Sequence, residues 1–201
     1  MGSINTLNIS QLAAGDLAPL DLSVAAGEIV CISGPSGIGK SRLLRAIADL
    51  EPHDGQVRLG DTSRSAVPAH RWRQAVMMVP AESAWWAETV AAHYPENAAI
   101  PPCLGLPQEC ISWPVSRLSS GEKQRLALVR ALARNPRALL LDEPTANLDE
   151  DTTRQVESWL LDEIRRRQLP VLWVAHAQAQ IARVADRHFH INSAGELVQV
   201  N

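Results

Sequence analysis

Gly34-Pro35-Ser36-Gly37-Ile38-Gly39-Lys40-Ser41 stands between the apolar run Ile29-Val30-Cys31-Ile32 and a stretch in which Leu43, Leu44, Ile47 and Leu50 recur at helical spacing. Strand, glycine-rich loop and helix, in that order, form the context in which this octet binds phosphate. The glycines let the backbone curl until successive N–H groups point at one anion, and the helix N-terminus adds the positive end of its dipole. Lys40 is then placed to reach the β- and γ-phosphates, and the Ser41 hydroxyl to ligate Mg2+. The alternative is a glycine-rich turn with an incidental Lys-Ser pair, and the flanking strand argues against it. Gly34 to Ser41 are therefore expected to hold a nucleoside triphosphate.

A chain of 201 residues is of a size for one α/β domain, here over 1–201, with a small inserted lobe. Its net charge of −3 leaves no electrostatic footprint for nucleic acid, so no nucleic-acid partner is expected. Arg165-Arg166-Arg167 reads as the end of a helix, where cations offset the dipole. No apolar run approaches the ~20 residues of a membrane span. Met1-Gly2-Ser3-Ile4-Asn5 does not resemble a secretory leader, and the expected location is cytoplasmic. Cys31, Cys103 and Cys110 lack the paired spacing of a zinc site and read as free thiols of a reducing compartment.

Leu7-Asn8-Ile9-Ser10 and Leu20-Asp21-Leu22-Ser23-Val24 alternate like half-buried antiparallel strands around a turn at Gly15-Asp16. Gln56-Val57-Arg58-Leu59 is a further short strand, so a β-rich edge is expected beside the glycine loop. The unbroken apolar runs 75–79, 138–141 and 171–175 read as strands buried on both faces. Between Pro95 and Pro114 the periodicity fades into a proline-rich insertion with one or two short helices. Helix returns after Ser119, whose spacing to Glu122 is that of a capping box, with Leu126, Val129, Leu132 and Ala133 as its apolar stripe. Asp149 caps a long helix carrying Val156, Trp159, Leu160 and Ile164, and a shorter one carries Ile181 and Val184. His188 to Ile191 and Glu196 to Val200 close the chain as strands around Gly195. Alternating strands and helices predict a mainly parallel sheet covered on both sides.

Two further motifs bear on chemistry. Leu139-Leu140-Leu141-Asp142-Glu143 ends a buried strand in two acids: Asp142 suits the Mg2+ shell, and Glu143 suits polarising water for in-line attack on a γ-phosphate. Leu118-Ser119-Ser120-Gly121-Glu122 places two hydroxyls and a glycine at a helix tip, either an ordinary capping box or a second anion cradle facing a nucleotide held by another molecule.

With these motifs in order, followed by Pro144-Thr145-Ala146-Asn147-Leu148-Asp149 and by His176 after a strand, the sequence resembles the ATP-binding cassette (ABC) ATPases over nearly its whole length. The resemblance implies an α/β P-loop NTPase fold: a mainly parallel sheet flanked by helices, with an antiparallel β edge and a reduced helical lobe at 90–117. It implies ATP and Mg2+ as cofactors, and a head-to-tail dimer holding each ATP between one P-loop and the Ser119, Ser120 and Gly121 of a second copy. His176 would contact the γ-phosphate and Asp149 would help bridge the copies. An integral membrane permease on a separate chain would be driven by the dimer, placing the chain on the inner face of the membrane.

Three positions depart from the family pattern. The aromatic residue that commonly stacks the adenine is missing from Ser10 to Leu17, so base contact is expected to be apolar, through Leu12 or Leu17. The glutamine expected after Met77-Met78-Val79-Pro80 is Ala81, followed by Glu82. The helical lobe is short, and Trp85-Trp86 just before it suggests partner binding. Within the family the sequence looks most like the small ATPase subunit of bacterial iron-export transporters. His188 and His190, without further ligands nearby, are expected to be a solvent-facing pair. Two other functions stand beside the transport motor: a module that dimerises on ATP with negligible turnover, and a soluble ABC protein that works on nucleic acid or ribosomes.

Overall fold

The computed structural model describes residues 5–96 and 98–200. Met1 to Ile4 of the leading segment lie outside them. In chain order the first elements are β1 (Leu7–Ala13), β2 (Leu20–Val24), β3 (Ile29–Ser33), α1 (Lys40–Ile47), β4 (Asp54–Leu59), β5 (Thr62–Ser63), α2 (Ala69–Ala75) and β6 (Val76–Val79). After a stretch of short 3-10 turns come α3 (Ser120–Ala133), β7 (Ala138–Asp142), α4 (Glu150–Arg167), β8 (Val171–Val174), α5 (Gln178–Val184), β9 (Arg187–Ile191) and β10 (Leu197–Val200).

The apolar runs pair as expected of doubly buried strands. They form a sheet in the order β10-β9-β3-β8-β7-β6, parallel except for β10 at its edge. Alternation sorts their side chains to two faces. Ile29, Cys31, Leu139, Leu141, Val171 and Trp173 pack with the buried stripes of α3 and α4. Val30, Ile32, Leu140, Leu172 and Val174 face α1, β1 and β2. All three cysteines are free; Cys31 and Cys110 are buried and Cys103 is exposed. Burial pushes the Cys31 thiol up to about 12, with Asp186 and Glu157 adding to it.

The N-terminal strands are not an edge of this sheet. β2-β1-β4-β5 is a separate antiparallel sheet, because Leu7 and Ile9 point inward while Asn8 and Ser10 point out, leaving one apolar face to lay on α1. β1 runs on to Ala13 through a register shift between Ile9 and Leu12, with Gln11 at φ 48. The helix after the glycine loop ends before Leu50: Asp49 turns left-handed at φ 61, and Leu50 is 49% exposed. α2 has no counterpart in the sequence reading. It buries Trp72 alone, which donates through Nε1 to the Ile47 carbonyl, so it shows no periodicity.

In the proline-rich insertion, Pro101, Pro107 and Pro114 each lead a short 3-10 helix. Ile100, Leu104 and Cys110 anchor the segment on the helical face of the sheet. Trp85 is half-buried and Trp86 is 67% exposed. The Arg130 guanidinium lies 4.5 Å from the Trp85 ring and 5.0 Å from the Trp86 ring.

Candidate functional site

The P-loop joins β3 to α1. Gly34 sits at φ 151, and a Cβ there would come within 2.8 Å of the Ile191 carbonyl, so only glycine lets the loop leave the sheet this way. Lys40 donates through Nζ to the carbonyls of Gly34 and Pro35, at 2.9 Å each. Burial holds its pKa below the ordinary lysine value, against the opposing pull of Glu143 and Asp142. A cavity of about 380 Å³ opens over the loop, lined by Ser36 to Ser41 and, from elsewhere, by Asp16, Arg42, Arg45, Glu143 and His176.

Glu143 and His176 follow β7 and β8. The Glu143 amide donates to the Val174 carbonyl at 3.1 Å, and the Ala175 amide to the Ile32 carbonyl at 3.1 Å, tying the three strand ends together. His176 Nε2 lies 2.7 Å from Glu143 Oε1. The two predicted catalytic residues thus form a direct pair at the rim of the P-loop cavity, a contact the sequence did not foretell.

Asp142, at the end of β7, is buried, and its Oδ1 has no hydrogen-bond partner. An orphaned buried carboxylate oxygen is costly in an apolar setting, and a hard, oxygen-seeking cation would satisfy it. Asp142 and the Ser41 hydroxyl therefore fit Mg2+.

Ser119, Ser120, Gly121 and Asp149 lie elsewhere; none lines the P-loop cavity. Ser119 caps α3: its amide donates to Glu122 Oε2 at 2.8 Å, and its Oγ accepts from the Glu122 amide at 3.2 Å. The ordinary capping box is thus real, and the backbone donation from Ser119 holds the Glu122 carboxyl below its usual range. Gly121 packs on the segment before α4, where a Cβ would meet Leu148 at 3.1 Å. Asp149 caps α4 by accepting from the Thr152 amide at 2.9 Å, which lowers its pKa.

Two expectations are corrected. Leu12 and Leu17 are core residues, 0% and 5% exposed, and Leu17 packs over Gly39; neither is open to a base. His188 and His190 are not a freely solvent-facing pair. Both are half-buried on Ser33, whose Oγ lies 2.7 Å from His188 Nε2 and 3.0 Å from His190 Nδ1. Burial, and then His190, push His188 below the usual histidine value.

Sequence reasoning also missed Asp16, Arg42 and Arg45 at the cavity. Arg42 and Arg45 were legible only as positions on the first turns of α1. A second omission lies behind the acid pair, where Gln180 donates to Thr145 Oγ1 at 2.7 Å and to Glu157 Oε1 at 2.8 Å. Arg183 holds Glu157 through two bonds of 2.7 and 3.0 Å.

A protein-family model described as ABC transporter matches residues 17–146, from the β1–β2 connection through the acid pair. The chain belongs to the ABC transporter family. Among curated relatives, the Fe(3+) ions import ATP-binding protein FbpC of Streptomyces coelicolor is 37% identical over 203 residues, covering 92% of this chain and 58% of that protein. The probable amino-acid import ATP-binding protein YxeO of Bacillus subtilis is 36% identical, over 84% of this chain and 76% of that protein. The aliphatic sulfonates import ATP-binding protein SsuB 3 of Rhodococcus jostii is 36% identical, over 92% and 68%. The chain thus spans between about half and three quarters of these relatives' lengths. A solved bacterial Atm1-family ABC exporter with ATP bound superposes at a TM-score of 0.82 with 25% identity, over 98% of this chain and 38% of that one. The fold is that of an ABC ATPase, a P-loop NTPase. The finer likeness to iron-export subunits finds no support in these curated relatives, whose names are those of importers. Among the described residues no helix is long and apolar enough to cross a membrane.

Proposed function

We propose that this ABC ATPase binds and hydrolyses MgATP as the motor subunit of a transporter, two copies closing head to tail on two nucleotides. The observation that carries this reading is the Glu143–His176 pair at 2.7 Å on the rim of the P-loop cavity, beside the orphaned Asp142 oxygen. The loop amides and Lys40 bind the phosphates. Glu143 accepts the proton of the attacking water, and His176, its direct partner, orients that carboxylate and faces the terminal phosphoryl. Bound Mg2+, held by Ser41 and Asp142, would neutralise charge on the phosphates.

The helix tip at Ser119, Ser120 and Gly121 is remote from its own chain's cavity lining, which supports its service to the nucleotide of a second copy, with Asp149 bridging the copies. The permease is a separate membrane protein that holds the chain at the cytoplasmic membrane face. It is met by the reduced lobe at 90–117 together with Trp86, which stands exposed just before the lobe. The competing reading, a module that dimerises on ATP with negligible turnover, draws on Ala81 at a position where the family pattern has glutamine.

Phosphate release by the purified chain and by Glu143→Gln separates the two. The motor reading requires turnover in the parent and its loss in the variant, with ATP binding kept. No turnover in the parent would favour the module.

A further inference from the structure

With Leu12 and Leu17 closed into the core, the nucleoside end of the cavity needs another surface. The fold says where that end is. Glu143 and His176 follow β7 and β8, on one side of β3, while β9 lies on the other. Gly15 and Asp16, in the β1–β2 connection, dock on the β9 side. There the Ala18 amide donates to the Gly195 carbonyl at 3.0 Å, and a Cβ on Gly195 would come within 2.7 Å of the Asp16 carbonyl. A triphosphate whose last phosphoryl faces Glu143 and His176 must release its nucleoside toward Gly15 and Asp16.

At that end stands Arg42. Its guanidinium lies against Gly15, with Cζ 3.0 Å from where a Cβ would be, a seat open only because Gly15 has no side chain. Arg42 also lines the cavity, and its side chain is 46% exposed. Its Nε is 3.4 Å from Glu51, whose carboxylate is held more tightly by Arg45 at 2.6 Å.

We propose that the Arg42 guanidinium, backed by Gly15, is the platform on which the nucleotide base stacks, an assignment that rests on the nucleotide reading above. A guanidinium is planar, weakly hydrated and attracted to π faces. It offers a face rather than a base-edge code, so adenine and guanine are held alike.

The test measures the affinities of ATP, GTP and inorganic tripolyphosphate for the purified parent chain, Arg42→Ala, Arg42→Lys and Gly15→Ala. Stacking requires Arg42→Ala to weaken ATP and GTP each by about ten-fold, with tripolyphosphate unmoved. Arg42→Lys keeps the charge but loses the plane, and should weaken them as much. Gly15→Ala, which displaces the guanidinium, should follow. If tripolyphosphate weakens in step with ATP, Arg42 is a phosphate ligand and the proposal is wrong. It is equally wrong if Arg42→Lys binds like the parent, or if ATP affinity is unmoved by Arg42→Ala. A parent that binds tripolyphosphate no more weakly than ATP sinks the stacking alone; one that binds neither takes the nucleotide reading with it.

Discussion

Glu143 sits at φ 48, a left-handed conformation that costs a non-glycine residue roughly 1–2 kcal/mol. The left-handed residue follows β7 directly, and its carboxylate lies 2.7 Å from His176. Glu143→Gln keeps the shape of the side chain and removes the base, so phosphate release should fall by at least about 100-fold while nucleotide affinity is kept. Asp142→Asn leaves a neutral group where the cation would be held. The Mg2+ concentration for half-maximal ATP binding, followed by titration, should rise about ten-fold. Gly34 to Ser41, Asp142 and Glu143 were legible because strand ends and glycine spacing fix backbone positions, and His176 only through its place in the family's ordered motifs. The Glu143–His176 contact and the seat of Arg42 on Gly15 were not, because they depend on how far side chains reach across elements that sequence alone does not bring together.

At the scale of elements, α3 begins in a reciprocal cap, Ser119 with Glu122. Ser119→Ala removes one half of it and should lower stability by about 1 kcal/mol, read from denaturant unfolding. The same cap gives a pH dependence with a definite sign. The folded Glu122 carboxyl lies below its usual value, so its contribution is complete above the ordinary glutamate pKa of about 4.3 and is lost as pH falls through the lowered folded value. Glu122→Gln should flatten that part of the stability profile. The caps at Ser119 and Asp149 and the doubly buried strands were readable from spacing and apolar runs. α2 was not, since one buried tryptophan in seven residues makes no pattern. Nor was the division into two sheets: alternation in β1 and β2 shows that one face is buried, but not which partner buries it.

Across the molecule, the sheet order gathers the P-loop, the acid pair and His176 at the carboxyl ends of β3, β7 and β8, the edge where open α/β sheets bind ligands. The helix tip at Ser119, Ser120 and Gly121 is left out of that cavity. On the proposed reading it is an anion cradle that serves the nucleotide of a second copy in head-to-tail register. The most direct measurement is the sedimentation of Glu143→Gln with MgATP and with MgADP over a range of concentrations. A dimer forms with MgATP and dissociates when MgADP replaces it, and the dimer is lost when Ser119→Ala and Gly121→Asp are added: that is the expected result. A protein that binds MgATP yet stays monomeric at the highest concentration would contradict it.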